Sequence, residues 1–199
     1  GVVDIQVNGF AGAEVGDDPA QIAAVAAALP RTGVTAFCPT LVTRSPAGYR
    51  RAAAALAAVR RPVHGARIIG VHLEGPFLNP ARAGAHRPEH IAPPEPARVA
   101  ALLALLRPAV VTLAPELPGA LAAIGQISAA GAVPAVGHTD ADASTARRAI
   151  AAGAGLLTHA FNAMSGIHSR RPSALAAFLA HPAAHVSLIA DGAHVAPEV

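Results

Sequence analysis

The chain has 199 residues, 53% hydrophobic and 14% charged, with 18 Gly, 18 Pro, one Cys and a formal net charge of +3. A chain of this length buries about 70% of its unfolded surface and carries less charge than the ~25% of ordinary soluble domains, so disorder is not expected; the lone Cys38 excludes an intrachain disulfide and points to a reducing, cytoplasmic setting. No run reaches the ~18 apolar residues of a spanning helix, and Gly1-Val2-Val3-Asp4 lacks the basic and apolar regions of a signal peptide, so neither a membrane nor export is expected.

Short apolar or β-branched runs alternate with Ala-rich stretches of helical length. In chain order, the pattern predicts a strand over 2–7, a helix over 19–30, a strand over 35–40, a helix over 45–60 and a strand over 68–74. Helices over 95–106 and 118–130 then flank a strand over 110–115. Strands over 133–138, 156–161 and 186–191 follow, separated by helices over 140–152 and 172–181. Ser45-Pro46, Pro94-Glu95-Pro96 and Asp140 are helix-start signals, and Gly33, Gly131 and Gly153 stand where helices end.

All 15 cations are Arg, scattered except for the pairs Arg50-Arg51, Arg60-Arg61, Arg147-Arg148 and Arg170-Arg171. The sequence pI near 10.4 is thus not focused into a basic patch, and 3% aromatics provide no base-stacking platform, so a nucleic-acid partner is not expected.

Strands separated by helices are βα units, which build a parallel sheet as an open doubly wound layer or a (β/α)8 barrel. An open sheet gathers its ligand at one switch point, often behind a glycine-rich phosphate loop, and neither GxGxxG nor GxxxxGK[ST] occurs here. A barrel presents functional groups at the C-terminal ends of many strands. Those ends carry Gln6 and Asn8, Thr40, His72 and Glu74, Glu116, His138, His159, and Asp191 with His194, which favours the barrel.

Glu74, His138 and His159 each close an apolar run, and in a barrel all three point into one mouth. One carboxylate and two imidazoles make a hydrolytic zinc set that keeps a position for water, although iron, manganese and cobalt accept the same donors. Gly75-Pro76 turns the chain after Glu74, and the Gly84-Ala85-His86 end either returns an imidazole over the site, able to polarise a substrate carbonyl, or leaves His86 as a surface loop residue. Asp4 reads as structural, and Glu116 either borders the substrate site or braces a loop. Surface roles suit His64, His90, His168, His181 and His185, and Cys38 reads as buried filler.

The segments VVDIQVNGF, GVHLEGPFLNPARAGAH, GHTDADAS, THAFNAMSG and LIADGAHV together resemble the N-acetylglucosamine-6-phosphate deacetylase family of the amidohydrolase superfamily, in order and across essentially the whole chain. The resemblance implies a metal-dependent (β/α)8 barrel that removes acetate from N-acetyl-D-glucosamine 6-phosphate. It implies Glu74, His138 and His159 as ligands of one divalent metal, zinc first among the candidates, and His86 as the group that polarises the acetamide carbonyl. Asn162 and the backbone of Ala163 match sugar-phosphate contacts, and His194 matches a phosphate-side histidine. Arg170 matches an arginine that reaches the phosphate across a homodimer interface.

Many superfamily members place His-x-His on the first strand for a second metal; here the amides Gln6 and Asn8 are weak ligands, so they are expected beside the bound water or behind the ligands. The family's general acid/base is an aspartate at the end of an eighth strand, which these residues do not contain; Asp191 belongs to the seventh-strand motif. Seven strands in 199 residues, with no flanking β-sandwich, imply a catalytic domain truncated at both ends relative to the family, which binds metal but hydrolyses little alone. The alternatives are a dihydroorotase-like or deaminase-like amidohydrolase, and an inactive metal- or sugar-phosphate-binding fragment.

Overall fold

The computed structural model describes residues 1–59 and 65–199; Arg60, Arg61 and His64 lie outside the described residues. Among the described residues, ten strands and six α-helices follow in order, beginning with β1 (Val2–Val7), β2 (Gly9–Phe10), β3 (Ala13–Glu14), α1 (Pro19–Ala28), β4 (Val34–Leu41), α2 (Pro46–Ala58), β5 (Arg67–Ile68) and β6 (His72–Glu74). They continue with α3 (Pro96–Leu106), β7 (Val110–Leu113), α4 (Ala120–Ala129), β8 (Val133–Val136), α5 (Ala143–Ala151), β9 (Leu156–Leu157), α6 (Ala174–Leu179) and β10 (His185–Val186).

The sheet runs β1-β4-β6-β7-β8-β9-β10, with β5 also against β4, and every pairing in it is parallel. Chain order therefore equals sheet order along the path, as successive βα units require, and the sheet curls into an incomplete barrel. Between its two end strands lies a cavity of about 680 Å³, lined by Gln6, Asn8, His159, Ser187 and His194 among others.

Helix boundaries follow capping chemistry. Asp18, Ser45 and Asp142 accept backbone N–H groups at the starts of α1, α2 and α5, and Pro occupies the first turns of α1, α2 and α3, where its missing N–H costs nothing. The helices cover the sheet through small side chains: Ala26, Ala52, Ala55, Ala123, Ala146 and Ala149 are all buried, which brings helix backbones close to the strands. Between them pack Phe37, Leu41, Leu73, Leu113, Ile124, Leu157 and Phe178, each removed from water for about 1.5–3 kcal/mol.

Three expected strands and one hairpin differ from the sequence pattern. The expected strand over 68–74 is two short strands, because the chain breaks at Gly70, where an added Cβ would collide with the Ala109 side chain. The strands expected over 156–161 and 186–191 keep regular pairing only at Leu156–Leu157 and His185–Val186, since the chain turns into the site directly afterwards. The β2–β3 hairpin was not legible, because strands of two residues are too short to show alternation; its turn residues Ala11 and Gly12 both have positive φ.

Candidate metal centre

Because all the paired strands of the curled sheet are parallel, their C-terminal ends share one rim. Glu74 ends β6, while His138 and His159 follow β8 and β9 by two residues. Both histidines adopt positive φ, 48° and 34°, a conformation uncommon for residues with a Cβ and recurrent at functional sites. The reversal turns each imidazole inward, and all three side chains are buried.

Glu74 Oε1 lies 3.2 Å from His138 Nε2 and 3.0 Å from His159 Nε2, and the two nitrogens are 3.1 Å apart. Among the described residues this trio is the group able to hold a metal ion. Bonds of about 2.0–2.1 Å in a tetrahedral site put neighbouring donor atoms roughly 3.3 Å apart, so the observed spacing suits a small divalent cation. The chemistry of the donors agrees. His138 Nδ1 donates to the Arg82 carbonyl at 2.8 Å, which leaves its Nε2 lone pair for the site, the usual arrangement of a ligating histidine.

The carboxylate is held from several sides. Gln6 Nε2 donates to Glu74 Oε1 at 2.7 Å, and Asn8 Nδ2 reaches Oε2 at 3.4 Å. Burial pushes the Glu74 pKa up, but the surrounding imidazoles of His138, His159 and His86 outweigh it and hold the group well below the usual carboxylate range. It is therefore an anion, as a ligand must be.

His86 stands beside this group without joining it. The backbone N–H of Thr43 donates to His86 Nδ1 at 3.1 Å, and the Thr43 hydroxyl contacts the same nitrogen. Nδ1 is then the acceptor, so the neutral ring carries its proton on Nε2, which faces Glu74 Oε2 at 3.6 Å. A buried N–H donor at the edge of a metal-competent group can stabilise negative charge growing on a substrate oxygen.

Glu116 braces the mouth. Its carboxylate accepts from Asn79 Nδ2 at 2.9 Å, from the Asp140 backbone N–H at 2.8 Å and from the Thr139 hydroxyl. Asn79 N–H also donates to the His138 carbonyl at 3.1 Å, so one acid ties the loop bearing His86 to the loop bearing His138. Of the two roles open to Glu116 in the sequence, the structure displays the brace.

The remaining expected residues are distributed unevenly. His194 is exposed, lines the same cavity as Gln6, Asn8 and His159, and donates from Nδ1 to Asp191 Oδ2 at 2.7 Å. Backbone N–H groups of His194 and Ala193, together with that ring, hold the Asp191 pKa at about 2. Asn162 donates to the Ala160 carbonyl, and Ala163 has a φ of 51° with its carbonyl bonded to Thr139 N–H. Arg170 lines a different cavity of about 940 Å³, together with Arg82, Asp140, Arg147, His168 and Arg171. Asp4 accepts the Gln6 backbone N–H, and Cys38 is buried.

Sequence reading missed Thr43, Asn79 and Thr139, ordinary loop residues whose partners are far away in sequence. It also assigned no role to a buried chain under the site. His72 Nδ1 lies 3.0 Å from the Ile5 carbonyl and Nε2 2.7 Å from Thr112 Oγ1, which is 2.8 Å from Thr158 Oγ1. Burial pushes the His72 pKa down to about 4. No described helix is long and apolar enough to cross a membrane.

No family model matches the chain. It is 37% identical over 210 residues to the N-acetylglucosamine-6-phosphate deacetylase of Danio rerio, an alignment covering 99% of this chain and 52% of the relative. An N-acetylgalactosamine-6-phosphate deacetylase of Escherichia coli O157:H7 is 39% identical over 200 residues, covering 98% and 53%. Among solved structures, N-acetyl-D-glucosamine-6-phosphate deacetylase from Mycobacterium smegmatis, an aspartate-to-alanine variant in complex with N-acetyl-D-glucosamine-6-phosphate, superposes with a TM-score of 0.91 at 40% identity, over 100% of this chain and 52% of that one. The chain spans about half the length of the curated relatives it matches. Over nearly all of its own length it is thus similar to amino-sugar-phosphate deacetylases, which have the TIM-barrel architecture of amidohydrolases.

Proposed function

We propose that this chain forms the metal-binding and substrate-binding part of a deacetylase that hydrolyses N-acetyl-D-glucosamine 6-phosphate to D-glucosamine 6-phosphate and acetate. The convergence of Glu74, His138 and His159 to within 3.0–3.2 Å, with the His86 N–H donor beside them, carries the proposal. An amide carbonyl is a poor electrophile, so its hydrolysis needs an activated water and a donor for the oxygen that gains charge. A divalent ion held by the three ligands, zinc in this reading, supplies a Lewis acid and lowers the pKa of water to about 7.

The chain's own side chains do the rest. His86 Nε2–H donates to the acetamide oxygen, and Gln6 and Asn8 fix the Glu74 carboxylate. Asn162 and the Ala163 backbone hold the sugar. His194, its Nδ1 committed to Asp191, offers Nε2 to the phosphate. Arg170, in a cavity away from the metal group, reaches the phosphate of the partner subunit in a homodimer, where its fork geometry suits a dianion. Phosphate binding far from the reacting bond supplies energy that positions the acetamide. The resemblance assigns general acid/base work to an aspartate that none of these residues matches. A cytoplasmic setting, argued from the lone Cys38, accompanies this reading.

A second substrate, the galacto epimer, is suggested by the name of the Escherichia coli relative, at 39% identity. Acetate release by the whole protein that carries this chain decides among these: it should depend on zinc, stop with a chelator, and be faster for 6-phosphorylated than for unphosphorylated N-acetylglucosamine. Equal rates on both would remove the phosphate assignments, and a preference for the galactosamine phosphate would select the epimer.

A further inference from the structure

Positions inside such barrels are dominated by Val, Ile and Leu. One layer here is different: His72, Thr112 and Thr158, all fully buried, form a single hydrogen-bonded chain that ends on the Ile5 carbonyl. We propose that this chain is a positioning floor for the metal ligands, setting the lateral placement of the strands that carry Glu74 and His159. The inference rests on the metal-centre reading above.

Each member sits directly beneath or beside a ligand. His72 and Glu74 lie two residues apart on β6 and therefore on one face, and Thr112 is the register partner of Glu74 on β7. Thr158 immediately precedes His159. The chain links β1, β6, β7 and the end of β9, stepping across β8 at Gly137, the residue before His138.

Gly137 makes that step possible. A Cβ there would lie 2.9 Å from Thr112 Cγ2 and 3.1 Å from Thr158 Cβ, so any larger residue would drive the two hydroxyls apart. The Ile5 carbonyl can only accept, hence His72 Nδ1–H donates to it and Thr112 donates to Nε2, while Thr158 donates to Thr112. Apolar side chains would fill the same volume, yet they leave strands free to shift by fractions of an ångström. Directional bonds remove that freedom, and fully satisfied buried networks specify one arrangement.

The test uses Thr112→Val and Thr158→Val, which delete hydroxyls at nearly constant volume, with Thr112→Ser as the conservative rescue. Two quantities are read: the zinc dissociation constant by competition with a chromophoric chelator, and the visible absorption bands of the cobalt-loaded protein. Each Val variant should weaken zinc binding about 10-fold, the lower end of what supporting partners of metal ligands contribute, and shift the cobalt bands. Thr112→Ser should restore both. If Thr112→Val fails to fold by circular dichroism, Thr158→Val, which removes only the terminal donor, carries the test. Val variants that melt earlier yet keep the zinc constant and cobalt spectrum of the unmodified protein would overturn the floor and leave the metal centre standing. An unmodified protein that binds no metal would overturn both.

Discussion

The Thr43 backbone N–H donates to His86 Nδ1 at 3.1 Å and thereby decides which nitrogen of His86 faces the site as a donor. In the whole protein that carries this chain, substitution of His86 by Ala should lower kcat on the phosphorylated sugar by about 10²–10³, the usual cost of losing one donor to a developing oxyanion. Zinc affinity should stay unchanged, because the ring is not one of the three converging ligands. Parallel kinetics and metal titration check this, and a joint loss of zinc affinity would make His86 a ligand instead.

Removal of any ligand should abolish stoichiometric metal. Glu74→Gln keeps the shape and removes the charge, while His138→Ala and His159→Ala each remove one donor. Elemental analysis of the purified variants should find far less than one zinc per chain. For the unmodified protein, free zinc at 100 times its Kd should raise the unfolding free energy by about 2.7 kcal/mol, seen as a higher Tm that a chelator reverses.

Phosphate recognition should separate from chemistry at His194. Its Nδ1 is committed to Asp191 and its ring lines the cavity shared with His159. His194→Ala should raise KM for the phosphorylated sugar about 10- to 100-fold, the worth of a hydrogen bond to a charged group, and leave turnover of the unphosphorylated sugar unaffected. Steady-state kinetics on the two sugars read the difference directly.

Glu116 should matter for stability and for loop order. Glu116→Ala strands the Asn79 amide, the Thr139 hydroxyl and the Asp140 N–H, and a loss of about 2 kcal/mol is expected from unfilled donors in a half-buried place. Urea unfolding measures it; a change within the ~0.5 kcal/mol of ordinary surface substitutions would contradict the clasp.

Cys38 gives a pH signature. Burial, with a smaller contribution from the Asp4 charge, pushes its thiol from 9.0 up to about 11. The native state then holds a proton that the unfolded chain has lost, so this group's contribution to stability is complete below pH 9 and declines as pH rises toward about 11. A thiol reagent at pH 8 should find Cys38 inert in the folded protein and reactive in denaturant; rapid modification of the native protein would contradict its burial.

The sequence by itself determined the order of elements and the chemistry at the rim. Short apolar runs and Ala-rich stretches of helical length, together with Ser45-Pro46 and the helix-ending glycines, are local signals, and local forces place strands and helices close to where those signals lie. The polar residues following the apolar runs marked Glu74, His138 and His159, because a parallel barrel puts every strand end on one side. Only the tertiary structure decided how these groups relate: Glu74 and His159 are 85 positions apart, and nothing local tells that their donor atoms meet at 3.0 Å. The same holds for Thr43 against His86, the three donors on Glu116, the placement of Arg170 in a separate cavity, and the His72-Thr112-Thr158 chain above Gly137. Each is a hydrogen bond or close approach between distant segments, set by strand register and by the turns at His138 and His159, and register is a property of paired strands that no single stretch of sequence contains.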